Sequence, residues 1–205
     1  MSAARLFVVL ILSALCSSGR AGSVEVTVKD SAGALVSNAV VYVKASAPGS
    51  GAVKKQAIID QRDKQFVPYV TALQVGTTVL FPNKDNIRHH VYSLSPAKKF
   101  ELKLFGQGEK RAVTFDNPGT VALGCNIHDT MQAFIKVVDR PFAAKTGKDG
   151  RVVLRGAPDG NAKLSVWHPH LRAPGNQLVV AAAPGNVSLT VSVKLRTPAP
   201  MSHDY

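Results

Sequence analysis

The sequence predicts an all-β chain folded as two β-sandwiches. Three observations carry that reading. After residue 21 no stretch repeats its apolar residues with a helical period. Alternation is plain instead. "VSLTVSVKL" (187–195) puts Val187, Leu189, Val191, Val193 and Leu195 on one face and Ser, Thr and Lys on the other, and "FELKL" (100–104) does the same. Turn signals ("DSAG", "APGSG", "NPG", "KDG", "PDG", "APG") interrupt the chain at short intervals. Many short strands joined by Gly/Pro turns build sandwiches, and there are enough here for two.

Read in order, the chain begins with a leader. Arg5, the apolar run "LFVVLILSAL" and the small residues of "SGRA" have the layout of a secretory signal peptide, residues 1–21, cleaved after Ala21. The run is shorter than the roughly twenty apolar residues of a membrane span. A retained anchor, lipid or helical, is the alternative; the lipid form would use Cys16, although bulky Leu15 stands where a small residue is expected. The strands then expected are 23–28, 39–44, 55–60, 77–82, 89–93, 100–104, 111–115, 119–124, 132–138, 151–155, 162–167, 177–182 and 187–195. "SAPGSG" (46–51) and "VDRPFAAKTG" (138–147) are candidate boundaries, and residues 197–205 read as a flexible tail.

Charge and cysteine count narrow the function. The net charge is +12, and removing the leader's Arg5 and Arg20 leaves +10. Export and the absence of a long basic run with interleaved aromatics argue against nucleic acid. An acidic protein partner or an anionic membrane surface fits better. Of the two cysteines, Cys16 leaves with the leader, so Cys125 is alone in an oxidising compartment. It is either a buried, inert thiol or one occupied by a metal.

"GCNIHDTMQAF" (124–134) favours the metal. Cys125, His128 and Met131 lie on a tight loop between two apolar strands, "TVALG" and "AFIKVV". A thiolate, an imidazole and a thioether lack one imidazole of the His₂Cys trigonal set with weak axial Met that characterises blue copper. "FPNKDNIRHHVYS" (81–93) offers His89 and His90 at the start of a strand, 36 and 35 residues before Cys125. Adjacent strand residues point to opposite faces, so one is the candidate ligand and the other faces away or supports the loop. Zinc would accept the Cys and His donors, but a thioether suits it poorly.

Two stretches carry a resemblance. "QFVPYVTALQVGTTVLFPNKDNIRHHVYS" and "PGTVALGCNIHDTMQAFIKV" resemble the strand entry and ligand loop of the cupredoxins, the small blue copper electron carriers. C-x₂-H-x₂-M is the short amicyanin-like spacing, and the likeness extends to plastocyanin-like proteins often labelled methylamine utilisation proteins. It implies a cupredoxin Greek-key β-sandwich over residues 53–138 and one type 1 copper ion held by His89, Cys125, His128 and Met131. His90 takes the place of the family's Asn, as a tether between ligand segments or an alternative ligand, and Arg88 replaces the family's Pro. "VEVTVKDSAGALVSNAVVYVKAS" (24–46) and "AAKTGKDGRVVLRGAPDGNAKLSVWHPHL" (143–171) resemble carboxypeptidase regulatory-like, transthyretin-like domains. That implies a second, smaller β-sandwich from residues 22–46 plus 142–196, with the cupredoxin inserted into it. A long N-terminal strand pair joined to the copper sandwich, with a separate C-terminal one, is the alternative.

The functional expectation is a periplasmic or secreted blue copper protein carrying single electrons, not an enzyme. Its partner would be an acidic redox protein such as a c-type cytochrome, without nucleic acid or stable membrane insertion. A periplasmic copper carrier or chaperone is the alternative. A copper enzyme of the red-copper type needs an open or carboxylate-bound site, and no acid stands at the axial position. His168 and His170 of "WHPHL" read as turn-lining residues, Trp167 as core, and Met201 and His203 as weak donors on a tail.

Overall fold

The computed structural model describes residues 22–44, 56–139, 142–157, 162–182 and 187–196; the leader, the "SAPGSG" boundary and the tail with Met201 and His203 lie outside them. The described residues form seventeen strands: β1 (Gly22–Asp30), β2 (Val40–Lys44), β3 (Gln56–Ile58), β4 (Asp60–Arg62), β5 (Gln65–Val67), β6 (Val70–Gln74), β7 (Thr77–Pro82), β8 (His89–Ser93), β9 (Phe100–Phe105), β10 (Lys110–Phe115), β11 (Gly119–Gly124), β12 (Gln132–Val138), β13 (Ala143–Lys145), β14 (Arg151–Ala157), β15 (Ala162–Trp167), β16 (Gln177–Ala182) and β17 (Val187–Val193). One short 3₁₀ turn, Pro174–Asn176, is the single helical element among them, and none is long and apolar enough to cross a membrane. The fold is all-β.

Two sandwiches account for all of these strands but β4 and β5, which form a separate hairpin. β10-β7-β3 faces β6-β12-β11-β8-β9, and β14-β1-β17 faces β13-β2-β15-β16. Strands before residue 45 pair with strands after residue 142: β1 with β14 and β17, β2 with β13 and β15. β3 through β12 pair among themselves. Each sandwich has its own apolar core. One is built on Val26, Val28, Val41, Leu164 and Val166, the other on Ile59, Phe81, Phe105, Phe115 and Ile135. Alternation explains both, since burying one residue in two along each strand faces its apolar set inward.

β12 departs from one-sided burial. Ala133, Ile135 and Val137 enter the core of their own sandwich, while Phe134, Lys136 and Val138 lie on the other face. That face meets the second sandwich through a small cluster of Val40, Val70 and Trp167, with Tyr69 edge-on to Phe134 at 5.5 Å between centroids. Lys145 Nζ donates to the Val70 carbonyl at 2.9 Å, and Tyr69 Oη lies 2.9 Å from His170 Nε2. Trp167 is 1% exposed, as expected of a core residue.

Two local features differ from the sequence reading. β9 alternates only as far as Leu102. His89 pairs with Phe105 and Val91 with Leu102, so Lys103 and Leu104 together oppose His90. This is a β-bulge. It turns Leu104 out to 46% exposure and Phe105 into the core, where unbroken alternation had Leu104 on the inner face. The β4–β5 hairpin, β6 and β13 were also not anticipated. The hairpin turns on Asp63 and Lys64, both at positive φ (55° and 53°), with no glycine to announce it.

Candidate metal centre

The site is assembled from a loop and a strand start. β11 and β12 pair from Gly119↔Val137 to Gly124↔Gln132, which leaves residues 125–131 as the connecting loop. β11 ends at Gly124 against the Tyr92 ring, where an added Cβ would stand 2.8 Å from Cε1. Within the loop the Met131 amide donates to the His128 carbonyl at 2.9 Å, folding the chain back on itself. Cys125 Sγ lies 3.8 Å from His128 Nδ1. Cys125 is a free thiol, 3% exposed, and Met131 is 1% exposed in the same apolar cluster.

His89 completes the group from β8. One nitrogen of His89, one of His128 and the Cys125 sulfur all lie within 4.8 Å of one another. Two donors on one ion stand at most about 4.4 Å apart, the sum of bonds near 2.1 and 2.3 Å, so a shift of a few tenths of an ångström closes the set. The His89 and His128 rings are 5.0 Å apart between centroids. His89 is fully buried, and its Nδ1 has no hydrogen-bond partner. A buried, unpaired ring nitrogen costs about 1–3 kcal/mol unless something occupies it.

The other nitrogen shows why Nδ1 is free. His89 Nε2 is 2.7 Å from Asp85 Oδ2. Asp85 also accepts the Asp63 amide at 2.7 Å on Oδ1 and the Lys64 amide at 2.9 Å on Oδ2. Burial works against this carboxylate, but the Lys64 amide, the His89 ring and the Asp63 amide together hold its pKa below the ordinary range. An ionised Asp85 can only accept, so His89 carries its proton on Nε2 and keeps a lone pair on Nδ1. Asn83 secures the loop: its Nδ2 donates to the Ile87 and Phe105 carbonyls at 2.8 and 3.0 Å, and its Oδ1 accepts the Asp85 amide at 2.9 Å. Neither Asp85 nor Asn83 was read from the sequence. The signal available was an acid four residues before a ligand histidine.

His90 is directed elsewhere. Its Nε2 lies 2.9 Å from Glu101 Oε1, and its ring packs on Tyr92 at 5.6 Å, two residues along the same strand face. It is 5% exposed with an unpartnered Nδ1, but it is not in the group around Cys125. His128 is the member nearest the surface, beside Ile127 at 49% exposure. Burial lowers its pKa, helped by His89 and Lys64 and opposed by Asp85, which favours the neutral, metal-binding imidazole. His168 and His170 sit together, 5.6 Å apart, near the junction of the sandwiches.

No family model matches this chain, and no curated protein does. Among solved structures it is similar to the copper-containing nitrite reductase from Thermus scotoductus SA-01, at 27% identity over 47% of this chain and 25% of that one, with a TM-score of 0.39. It is also similar to amicyanin. A reduced tryptophan-to-tyrosine variant matches at 16% identity over 48% of this chain and 98% of amicyanin, TM-score 0.39. An oxidised proline-to-alanine variant matches at 18% identity with the same coverage, TM-score 0.38. The chain spans about a quarter of the nitrite reductase.

Proposed function

We propose that this protein is an exported type 1 copper protein that passes single electrons between redox partners. The observation that carries the reading is the cluster of a His89 nitrogen, a His128 nitrogen and Cys125 Sγ within 4.8 Å of one another, together with a buried His89 Nδ1 that has no hydrogen-bond partner. His89, Cys125 and His128 would hold the ion, with the Met131 thioether as weak axial ligand; a thioether favours copper over zinc. When bound, copper supplies a one-electron couple. The chain's part is to hold the donors on paired strands and keep water from His89, Cys125 and Met131, so that little rearranges on reduction. Four side-chain ligands leave no open position for a substrate, which argues for a carrier and not an enzyme. His128, partly exposed beside Ile127, is the point at which an electron enters or leaves.

The expected result of adding Cu(II) to the purified full chain is intense red-region absorption with a narrow copper hyperfine splitting in EPR. Reduction and reoxidation should restore both over many cycles. Cys125→Ser and His89→Gln should lose the absorption by about tenfold or more, since thiolate ligation generates it, while His90→Gln retains it. A colourless wild-type protein overturns the reading. So does a Cys125→Ser variant as blue as the parent. The leader motivates export to the periplasm or beyond, and detection of residues 1–21 on the protein in the cytoplasm would reject it.

The +10 charge that remains after the leader points to an acidic redox partner such as a c-type cytochrome. Electrons should transfer to an acidic c-type cytochrome at a rate that falls steeply as salt rises from 10 to 200 mM, because screening shortens the reach of the basic surface from about 30 Å to under 10 Å. A rate indifferent to salt removes the steering. The strands before residue 45 and after 142 fit the transthyretin-like reading, with the copper sandwich inserted and the outer one serving docking.

A further inference from the structure

A second site lies where the two sandwiches meet, away from the metal centre. Lys136 stands on the outer face of β12, in the middle of that junction. It is 8% exposed. Its ammonium sits 5.7 Å from the centroid of the Tyr42 ring and 5.6 Å from that of Trp167, so two aromatic faces flank the charge. Among the described residues its three N–H donors meet no acceptor and its charge meets no carboxylate within ion-pair distance. Burial lowers its pKa, with no neighbouring charge contributing.

The ammonium lines a cleft of about 290 Å³, between β12 on one side and β2, β15 and β16 on the other. Tyr42, Ser165 and Gln177 form the far wall. That wall is closed on itself: the Tyr42 hydroxyl donates to Gln177 Oε1, and Gln177 Nε2 donates to Ser165 Oγ at 3.2 Å. Lys136 is thus the charged donor in the cleft with no partner. Lys136 is 8% exposed, so its ammonium keeps only part of its hydration, and cation–π contacts offset part of what is lost. An anion in the cleft would restore the missing hydrogen bonds.

We propose that the cleft between the sandwiches binds a small monocarboxylate, its oxygens accepting from Lys136 Nζ. The cleft, at about 290 Å³, has room for a small organic acid. Lys136 and Asp139 both line the cleft, one positive and one negative group, so one added negative charge is tolerated better than two. A phosphate dianion would meet one positive and one negative group. Tyr42 and Pro118 in the lining provide an apolar surface for a short alkyl or aryl tail. A bound carboxylate would bridge β12 of the metal-bearing sandwich to the second sandwich, and so stabilise their junction by mass action.

The test follows the Lys136 ammonium signal in the full chain, labelled with ¹⁵N and titrated with sodium acetate while sodium chloride keeps ionic strength constant. The expected result is a saturable shift of that one lysine among the lysines, with no response to acetamide, which has the same shape and no charge. Lys136→Met should weaken acetate binding by about tenfold or more, the usual worth of a charge-assisted hydrogen bond in a shielded site. A Lys136 signal that moves only as the exposed lysines do overturns the proposal. So does equal binding of acetamide, tighter binding of phosphate than of acetate, or unchanged acetate affinity in a folded Lys136→Met. The acetate–acetamide comparison on the parent protein decides the matter even where that variant does not fold.

Discussion

Asp85→Ala is expected to lower copper affinity by about ten- to a hundredfold, the usual range for a residue that orients a metal-binding histidine. Asp85 accepts the His89 Nε2 proton at 2.7 Å and thereby leaves Nδ1, which has no hydrogen-bond partner, as the lone-pair nitrogen available to a metal. Without it the ring can carry its proton on either nitrogen and turn about χ2, so part of the population presents an N–H where a donor is needed. The same carboxylate also caps the Asp63 and Lys64 amides. Those two residues hold a left-handed conformation that costs roughly 1–2 kcal/mol each for a non-glycine residue. The variant should therefore also lose about 2 kcal/mol of stability, through lost charge-assisted bonds. The two effects are separable. Adding Asp63→Asn and Lys64→Gly to the variant supplies a turn sequence that adopts positive φ readily, and should recover most of the stability. Copper affinity, read by competition with a chelator, should stay low. If the relaxed turn restores affinity along with stability, Asp85 serves the turn and not the ring.

How far the sequence reveals this site depends on how far apart its parts are. Cys125, His128 and Met131 are legible because one short loop carries all three and the strands on either side pair with each other across it. His89 and His90 are not separable by alternation alone, which places either one inward. What separates them is what each face meets in the fold: His89 shares the side of β8 that carries the core residue Val91, and His90 shares the side of Tyr92 and reaches Glu101. The Asp63–Lys64 turn contains no glycine, and Lys64 has no preference for the positive φ it adopts. It is held by Asp85, 22 and 21 residues away, and a contact at that range leaves no local pattern. Lys136 is the sharpest case. On "QAFIKVV" it looks like the solvent-facing member of an edge-to-core alternation. It is buried because another sandwich covers that face, and only the pairing of strands before residue 45 with strands after 142 puts the covering strands there. The all-β class and its strands depended on local alternation and turns, and these were in the sequence. The junction depended on topology.

The junction also sets the largest pH effect expected of the fold. His168 follows Trp167 directly and is 7% exposed. Burial, then the nearby His170, lower its pKa from 6.5 to about 4, and the Ser37 carbonyl offsets this only in part. Its Nδ1 accepts the His170 amide at 3.2 Å, which fixes the neutral tautomer with Nε2 protonated. The sign is then determined. Above pH 6.5 the ring is neutral in both folded and unfolded chains and costs nothing. As pH falls below 6.5 the unfolded chain takes up a proton that the folded chain refuses, so stability declines until the folded ring protonates near pH 4. A displacement of that size corresponds to about 3 kcal/mol across the window. Trp167 is the one tryptophan in the chain, so its fluorescence reports unfolding at this junction during urea titrations at pH 7.5 and 4.5. The parent should lose about 3 kcal/mol between the two, and His168→Gln, which keeps a polar side chain and cannot titrate, should lose at least 2 kcal/mol less. His170 is half-buried beside it, and its own lowered pKa, from burial and then Arg196, adds a smaller slope of the same sign that His168→Gln leaves in place. An equal acid sensitivity in parent and variant would remove His168 as the source and move the effect to groups elsewhere in the chain.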